Sequence, residues 1–453
     1  MRPPHDPAAS EARPAPPGPV PLPQALAYWL RLGCISFGGP AGQIALMHAE
    51  LVERRRWISE RRFFHALNYC MVLPGPEAQQ LATYLGWLMH GRWGGLLAGG
   101  LFVLPSLLLL VALSWIYLRH GSQPLVAGVL AGIQPAVVAL VAVAALRIGR
   151  RSLRDPLWIG IAVAAFLALE LAGLPFVLIV AGAAASGTLA LRWRPQALHA
   201  GSAAEGGAAL GAPPAWIDDD SPPPRHAQLS LSAALGVLAC GLALGGAGLG
   251  LLAGWGGTDG LLVELALFFT QAALLSFGGA YAVLPFLVQG AVEQHGWLTA
   301  LQMLDGLALG ESTPGPLIMV VAYIGFLAGA GRELLGPDTL FLSGLLAATV
   351  ATAYTFLPSF VFIFLGAPFI ERSRGRLGVI APLAGIHAAV VGVIASLALF
   401  FARQVIWPAG SGFDAVAAAL ALLYFGLLAR GWIGVLPLIA LAGTLGALRS
   451  LLA

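Results

Sequence analysis

Apolar runs of roughly 20 residues follow one another along almost the whole chain, separated by short polar segments. A helix of about 20 apolar residues crosses the ~30 Å hydrocarbon core of a bilayer. The pattern therefore predicts an all-α polytopic membrane protein. Two stretches depart from it, a proline-rich start at 1–23 and a stretch rich in Gly, Ala and Pro at 195–228. We expect a disordered tail and a flexible linker there.

The apolar part of the chain consists of two halves that repeat one another. Three motifs occur twice in the same order: SFGG at 36–39 and 276–279, PGP at 74–76 and 314–316, and LPS at 104–106 and 357–359. So many matches in one order indicate an internal duplication. We predict one membrane repeat at 24–194 and a second at 260–453, connected by the linker at 195–228 and a helix at 229–259.

The arginines of equivalent loops indicate how the halves are related. The loop 53–62 contains five arginines and its counterpart 293–302 contains none, whereas 371–376 contains three against Arg119 alone in the matching place. Positive residues mark the cytoplasmic side of a membrane. The halves are therefore predicted to be inverted, as in many secondary transporters, with the N-terminus and the linker cytoplasmic. A parallel duplication with drifting charges is the alternative.

The same charges predict re-entrant helices. If the arginine-rich loops 53–62 and 147–154 lie on one face, an even number of crossings separates them, yet three apolar segments lie between. PGP breaks one of these segments in the middle, so we read it as a hairpin. The prediction is four helical hairpins and about nine full spans. Hairpins are expected at about 24–50, 63–90, 260–291 and 301–330, and spans at about 93–118, 121–147, twice within 156–193, and at 229–253, 340–367, 377–402, 412–429 and 431–452.

Breaks inside membrane helices indicate a binding site. Gly-Gly frees the backbone from helical geometry and Pro blocks its continuation. Broken backbone at membrane depth is tolerated only where protein or a cavity surrounds it. A helix that begins there points N–H groups and its positive dipole end into the cavity, which favours an anion. The alternative is that these residues only kink and pack the helices.

The candidate substrate-binding residues are those at the breaks and the polar residues beside them. Arg31 is the candidate counter-charge for a dianion, and Glu77 and Glu311 are candidate proton carriers, because intramembrane charges are costly and often functional. The full substrate-binding set is Arg31, Phe37, Gly38, Gly39, Pro40, Gln43, Pro74, Gly75, Pro76, Gln80, Phe277, Gly278, Gly279, Ser312, Thr313, Pro314, Gly315 and Pro316.

Composition narrows the function classes. Apolar residues make up 58% of the chain and charged residues 10%, against about 25% charged in soluble domains. The net charge is only +3, which argues against nucleic-acid binding. The three cysteines form no CxxC, and the chain contains no HExxH. We therefore expect no metal, no cofactor and no enzymatic activity; a membrane enzyme is the alternative class, and it lacks a recognisable motif.

The order of SFGGP at 36–40, ERRRW at 53–57, LPGPEAQQLATYLGW at 73–87 and LPS at 104–106, repeated more faintly later, resembles the chromate ion transporter family. The resemblance is to its long, two-domain members and covers about residues 24 to 450. It implies a bacterial inner-membrane protein that exports chromate, driven by the proton motive force, and confers chromate resistance. Sulfate is the structural analogue of chromate and the expected competitor.

The resemblance also carries over to particular residues. They are Phe37, Gly38, Gly39, Pro40, Glu53, Arg54, Arg55, Trp57, Pro74, Gly75, Pro76, Gln80, Tyr84, Phe277, Gly278, Gly279, Pro314, Gly315 and Pro316. One departure is Gly42-Gln43, where many relatives read Ala-His. The residues alone indicate an inverted-repeat carrier for an anion. They leave open chromate against sulfate, export against uptake, a carrier against a channel, and whether the protein is a homodimer.

Overall fold

The computed structural model describes residues 17–193, 214–222, 224, 226, 230–372, 380–408 and 412–452. Within these ranges the chain is helical apart from short connections and one isolated parallel bridge between Ile58 and Ile217. The predicted all-α polytopic fold is confirmed. Most of the predicted tail, most of the predicted linker and the arginines at 374 and 376 lie outside the described residues.

The helices follow the duplicated order. The first repeat contains α1 (Leu22–Ile35), α2 (Gly39–His48), α3 (Glu60–Cys70), α4 (Glu77–His120), α5 (Pro124–Ser152), α6 (Pro156–Glu170) and α7 (Phe176–Trp193), and α8 (Leu231–Gly256) follows. The second repeat contains α9 (Leu261–Leu275), α10 (Ala280–Val288), α11 (Ala300–Ser312), α12 (Val320–Gly331), α13 (Leu340–Arg372), α14 (Ile380–Ile406), α15 (Ala415–Ala429) and α16 (Val435–Leu452). A π-helical turn extends α2 at 49–54 and another extends α10 at 289–294.

Six helices among the described residues are long and apolar enough to cross a membrane: α4, α5, α8, α13, α14 and α16. They correspond to six of the nine predicted spans. The other three, α6, α7 and α15, are apolar but have only 15, 18 and 15 residues, which corresponds to roughly 22–27 Å of helix. These three can cross only where the hydrocarbon layer is thin or locally matched.

Each predicted hairpin is a pair of short helices, none of them longer than the 15 residues of α9. With 14 and 10 residues, α1 and α2 are about 21 and 15 Å long. The hairpin that begins with α3 ends inside α4, where His90 has φ −134° and Gly91 has φ +69°. This kink divides α4 into a half-helix at 77–90 and a full span at 91–120. The later hairpins are α9–α10 and α11–α12.

Loop positions around α4 show that the repeats are inverted. Tyr117, near the end of α4, donates a 3.0 Å hydrogen bond to Asp305, near the start of α11. The loop before α3 lies at the other end of this span, beside the kink. Trp216 connects the two, because its ring contacts His90 at the kink and its backbone N–H donates to the carbonyl of Arg56 in the loop. The equivalent helices α3 and α11 therefore begin at opposite ends of the span 91–120, and hence at opposite faces of the membrane.

The last two helices of each repeat pack on a helix of the other repeat. The first-repeat helix α5 packs on α15 and α16, and its counterpart α14 packs on α6 and α7. Glycines allow both approaches: a Cβ on Gly132 would lie 2.7 Å from the Cα of Gly446, and one on Gly385 would lie 3.0 Å from the Cα of Gly187. The inner half-helices 78–89 and 320–330 are buried throughout, because α4 packs on α1, α3 and α13 and α12 packs on α13, α4 and α11. Their N-terminal breaks are enclosed by protein.

Candidate anion site

All four predicted breaks interrupt a helix, and each requires glycine. Helices end before the SFGG and PGP motifs and restart within or after them. The backbone φ is +89° at Gly38, +128° at Gly75, +83° at Gly278 and +111° at Gly315. Side chains with a Cβ rarely adopt such angles. The motifs therefore define the shape of the backbone itself.

The breaks of one repeat lie directly on those of the other. The N–H of Gly75 donates a 2.9 Å hydrogen bond to the carbonyl of Ser276, and the N–H of Gly315 donates a 2.9 Å bond to the carbonyl of Ser36. Gln43 strengthens the second crossing, because its Nε2 donates to the carbonyls of Gly315 (2.5 Å) and Ser36 (3.4 Å). Each PGP turn thus crosses the SFGG turn of the opposite repeat.

A narrow recess opens at one crossing. It is lined by Gly38, Gly39, Gly310, Glu311, Thr313, Gly315 and Leu317. Glu311 is only 7% exposed and accepts a 2.5 Å hydrogen bond from the Tyr281 hydroxyl. At the other crossing Glu77 takes a comparable place, since a Cβ on Gly279 would lie 3.8 Å from its Oε1. Each predicted proton carrier therefore faces a Gly-Gly pair.

Four buried serines surround the crossings without a hydrogen-bond partner for their hydroxyls among the described residues. Ser36, Ser106, Ser276 and Ser359 are at most 1% exposed, and each Oγ is unpaired. Ser106 Oγ would lie 2.9 Å from a Cβ on Gly315, and Ser359 Oγ would collide with a Cβ on Gly75. Buried hydroxyls nearly always have a partner. Four unpaired ones at the crossings indicate a place where water or a polar substrate binds.

These hydroxyls were not among the predicted substrate-binding residues. SFGG and LPS served as markers of the repeat, and substrate contacts were predicted for the glycines and prolines of the breaks and for polar residues beside them. The signal was present, because both motifs conserve a serine between the two halves of this one chain. Buried glutamines add to the set: Gln80 donates to the carbonyl of Pro74 (2.8 Å), while the Oε1 atoms of Gln43, Gln79 and Gln80 have no partner among the described residues.

Helix starts add positive electrostatic potential at the crossings. The residues that precede the helices, Gly38 for α2, Pro76 for α4 and Gly279 for α10, make no side-chain capping hydrogen bond. First-turn N–H groups lack partners within their own helix and favour negative charge. The amides of Gly75 and Gly315 differ from expectation, because each is bonded to the opposite repeat. The available N–H groups are those of the first helical turns.

Other predicted residues lie farther away. Arg31 is exposed on α1 and lines a separate recess of about 190 Å³ with Tyr28, Glu50 and Arg54 among others. It lies five residues before Ser36, about 7.5 Å along the helix. Ser312 donates its hydroxyl to the carbonyl of Leu309 (3.0 Å), so that group is already paired. In this conformation the structure does not bring Arg31 to the crossings.

The arginine-rich loop 53–62 is held by local pairs. Arg54 and Arg55 donate hydrogen bonds of 2.8 and 2.7 Å to the carboxylate of Glu50, and the Arg55 guanidinium stacks 4.9 Å from the Trp57 ring centroid. Part of the predicted linker lies on this loop. Ile217 donates its N–H to the carbonyl of Trp57 and accepts from the N–H of Ser59. The segment 214–222 is therefore attached to the first repeat.

Two inverted repeats whose broken helices cross in the protein interior define an inverted-repeat membrane transport protein. Comparison with known sequences identifies its family. The chain belongs to the chromate transporter family, whose profile matches residues 23–188 and again residues 263–447. The two matched ranges lie within the two repeats.

Individual relatives cover most of the chain. It is 34% identical over 413 residues to a chromate transport protein of Pseudomonas aeruginosa, covering 90% of this chain and 88% of the relative. It is 31% identical over 389 residues to the chromate transport protein of Cupriavidus metallidurans, covering 84% and 83%. It is also 31% identical over 385 residues to a probable chromate transport protein of Synechococcus elongatus, covering 84% and 85%. No solved structure matches the chain.

Proposed function

We propose that this protein exports chromate across the bacterial inner membrane, driven by the proton motive force, and so confers chromate resistance. The observation that carries the proposal is the pair of crossings with four buried, unpaired serine hydroxyls. Relatives that share at least 31% identity over most of the chain are named for chromate transport. The arginine-rich loops are taken as cytoplasmic.

The site chemistry suits a tetrahedral dianion. Serine hydroxyls donate hydrogen bonds without introducing charge, and uncapped helix starts add positive potential. Neutral donors let an anion bind and leave again, as a carrier requires. Arg31 remains our proposed counter-charge along the path from the arginine-rich face. Replacement by alanine should abolish uphill flux without loss of expression; wild-type flux in that variant would exclude this role.

The membrane potential favours export of such an ion. Moving two negative charges toward the positive outside releases about 4.6 kcal/mol per 100 mV. Export of chromate therefore needs the electrical part of the proton motive force and no stoichiometric proton. Chromate export and the second candidate, oxyanion uptake, therefore differ in the direction of flux and in whether the membrane potential or the pH gradient drives the flux.

Uptake of sulfate or another oxyanion is the second candidate, and the two carboxylates at the crossings favour it. Ionised Glu77 and Glu311 would repel a dianion bound beside them, so proton binding at these groups should raise anion affinity. Protons that bind together with the anion would travel with it, which is symport and runs inward under a proton gradient. Coupling of this sign is expected of a proton–oxyanion uptake carrier.

One flux experiment decides between the two. Purified protein is reconstituted in vesicles of known orientation, and radiolabelled chromate and sulfate are followed with the membrane potential and the pH gradient imposed separately. Export predicts chromate movement from the arginine-rich face that responds to potential. Inward movement that needs the pH gradient supports oxyanion uptake instead. No flux of either ion, with correctly folded protein, would reject both.

A further inference from the structure

A buried carboxylate far from the crossings has no place in the function proposed above. Asp305 is 5% exposed and lies on α11, about 7.5 Å from the first residue of that helix. It was not among the predicted functional residues. An isolated ionised carboxylate at membrane depth is costly, and such residues are usually functional. The Asp305 carboxylate accepts hydrogen bonds from two other helices.

These bonds attach the fourth hairpin, α11–α12, to the first repeat. The Tyr117 hydroxyl of α4 donates to Asp305 Oδ2 over 3.0 Å, and Gln134 Nε2 of α5 donates to Oδ1 over 3.1 Å. Both oxygens are therefore occupied by donors from helices that run the full depth of the membrane. The same α11 ends in Glu311 and the PGP turn, so any movement of α11 at Asp305 is carried to the substrate site.

The groups around Asp305 are few. The Tyr117 hydroxyl donates to Asp305. The ring of Tyr323 on α12 packs against Gly306 and against the Tyr117 ring, at 5.6 Å between ring centroids. On neighbouring helices, the Arg119 guanidinium lies over the Trp115 ring at 4.9 Å. Among the described residues no ion pair joins Arg119 or the α16 residue Arg449 to Asp305. Within the described part of the chain no ion pair compensates the carboxylate.

Asp305 lies toward the face opposite the arginine-rich loops. Tyr117 is three residues from the end of α4. The full span of α4 begins at the other end, at the Gly91 kink beside the loop 53–62. If those loops are cytoplasmic, as the proposed function assumes, Asp305 lies near the outer face. That face is the acidic side when a proton gradient is present.

We propose that Asp305 is an outer proton-binding residue of the transport cycle. Its ionised form accepts both hydrogen bonds and holds the fourth hairpin on α4 and α5. A proton taken from outer water onto one carboxylate oxygen weakens the acceptance at that oxygen and frees the hairpin to move; loss of the proton restores the contact. The inference rests on the proposed function, because it assigns an outer pH dependence to the same transport cycle.

The variant Asp305→Asn tests this directly. Asparagine has nearly the same shape and can still accept at one oxygen, but it does not titrate. Chromate flux is measured in vesicles while the pH at the Asp305 face alone is varied. We expect wild-type flux to change with that pH by up to about tenfold per pH unit, the limit for one titrating group, and the flux of the variant to be flat. Asp305→Glu, which still titrates, should restore a pH-dependent profile, and exposed Asp338→Asn should behave as wild type.

Two results would overturn the inference. A wild-type profile in Asp305→Asn shows that another group senses outer pH. If wild-type chromate flux is present but does not depend on outer pH, proton binding at Asp305 is rejected while chromate transport is retained. If the wild type shows no flux, the proposed function itself is rejected. If Asp305→Asn fails to fold, as judged by size exclusion, the variant Tyr117→Phe is the test. It removes a hydrogen-bond donor to the ionised form of Asp305, so the midpoint of the flux-against-pH curve should shift to higher pH. An unchanged midpoint contradicts the proposal.

Discussion

The N–H of Gly75 donates a 2.9 Å hydrogen bond to the carbonyl oxygen of Ser276, although 201 residues separate them. The inverted counterpart of this bond joins Gly315 to Ser36 at the same length. Both bonds connect a PGP turn in one repeat to an SFGG turn in the other. Two equivalent bonds related by the repeat show that the crossings are a symmetric feature of the fold. A conformational change that moves one hairpin must rearrange the opposite one.

The first prediction concerns the glycines at these bonds. Gly75→Ala should destabilise the protein and abolish transport, because an alanine at φ +128° is strained and its Cβ would collide with Ser359 Oγ. The backbone strain alone costs about 1–2 kcal/mol. Gly315→Ala should behave in the same way beside Ser106. Thermal unfolding in detergent and chromate flux measure the two effects.

A matched glycine provides the control for this prediction. Gly246 lies inside α8, and a Cβ there would meet no atom within 4 Å. Gly246→Ala should therefore leave flux unchanged and raise stability slightly, because alanine is the better helix former by about 1 kcal/mol. Equal loss of stability in Gly75→Ala and Gly246→Ala would contradict the role assigned to the crossings.

Much of this fold was predictable because its signals are local. Gly-Gly and Pro-Gly-Pro cannot continue a helix, so the four breaks followed from sequence. The inversion was predicted from arginines such as Arg54 and Arg150, which mark one face of a membrane, and the contacts at the two ends of α4 agree with it. The kink at Gly91 lies where the hairpin 63–90 was predicted to end. Features that depend on one segment and the bilayer were therefore read correctly.

The parts that sequence could not supply depend on contacts between distant segments. Nothing near Gly75 in sequence indicates that its amide bonds to Ser276, so it was expected to be free for substrate. The predicted linker looks flexible by composition, yet Ile217 pairs with Ile58. Arg31 shares an apolar segment with SFGG, but its helical position turns it toward another recess. In each case the outcome depends on packing that periodicity does not encode.

A second prediction separates substrate binding from stability at the serines. Ser36→Ala and Ser276→Ala should weaken chromate binding by about tenfold or more, because each removes a donor to the anion worth about 1.5–3 kcal/mol. The unfolding temperature should not fall, since neither hydroxyl has a hydrogen-bond partner to lose in the described part of the chain. Equilibrium binding of chromate and thermal unfolding report the two quantities.

Ser114 is the control for the serine variants. It is equally buried, but its hydroxyl donates a 2.6 Å hydrogen bond to the carbonyl of Leu110. Ser114→Ala should keep wild-type binding and shift stability by less than about 1 kcal/mol. If Ser36→Ala binds chromate as tightly as Ser114→Ala does, the hydroxyls at the crossings do not coordinate substrate.

A third prediction addresses the carboxylates. Glu311→Gln should bind chromate more tightly than wild type at alkaline pH, by at least about tenfold, because a charge close to the anion is removed in a medium of low effective dielectric. Its affinity should also depend less on pH, and Glu77→Gln should show the same trend at the other crossing. Exposed Glu333→Gln should have no effect. Unchanged pH profiles in both site variants would remove Glu77 and Glu311 as proton carriers.

A fourth prediction concerns the linker segment bound to the arginine-rich loop. Ile217 is 8% exposed and belongs to the first-repeat core, so Ile217→Ala should weaken this attachment by about 2–5 kcal/mol. The amide of Ser59, which donates to the Ile217 carbonyl over 3.0 Å, should then exchange hydrogen faster. Exposed Asp220→Ala should leave that rate unchanged. Slow exchange at Ser59 in Ile217→Ala would show that the segment does not depend on this contact.

The fifth prediction tests the inversion itself. Epitope tags inserted at 119–122 and at 371–376 follow equivalent spans, α4 and α13, and should be reached by membrane-impermeant antibody from opposite sides. The tag at 119–122 should be accessible from outside intact cells, because Tyr117 and Asp305 lie at the face opposite the arginine-rich loops. A tag at 152–154, in the second of those loops, should be accessible only after the inner membrane is opened. If 119–122 and 371–376 are labelled from the same side, the duplication is parallel, and neither the symmetric crossings nor the outer position of Asp305 can be retained.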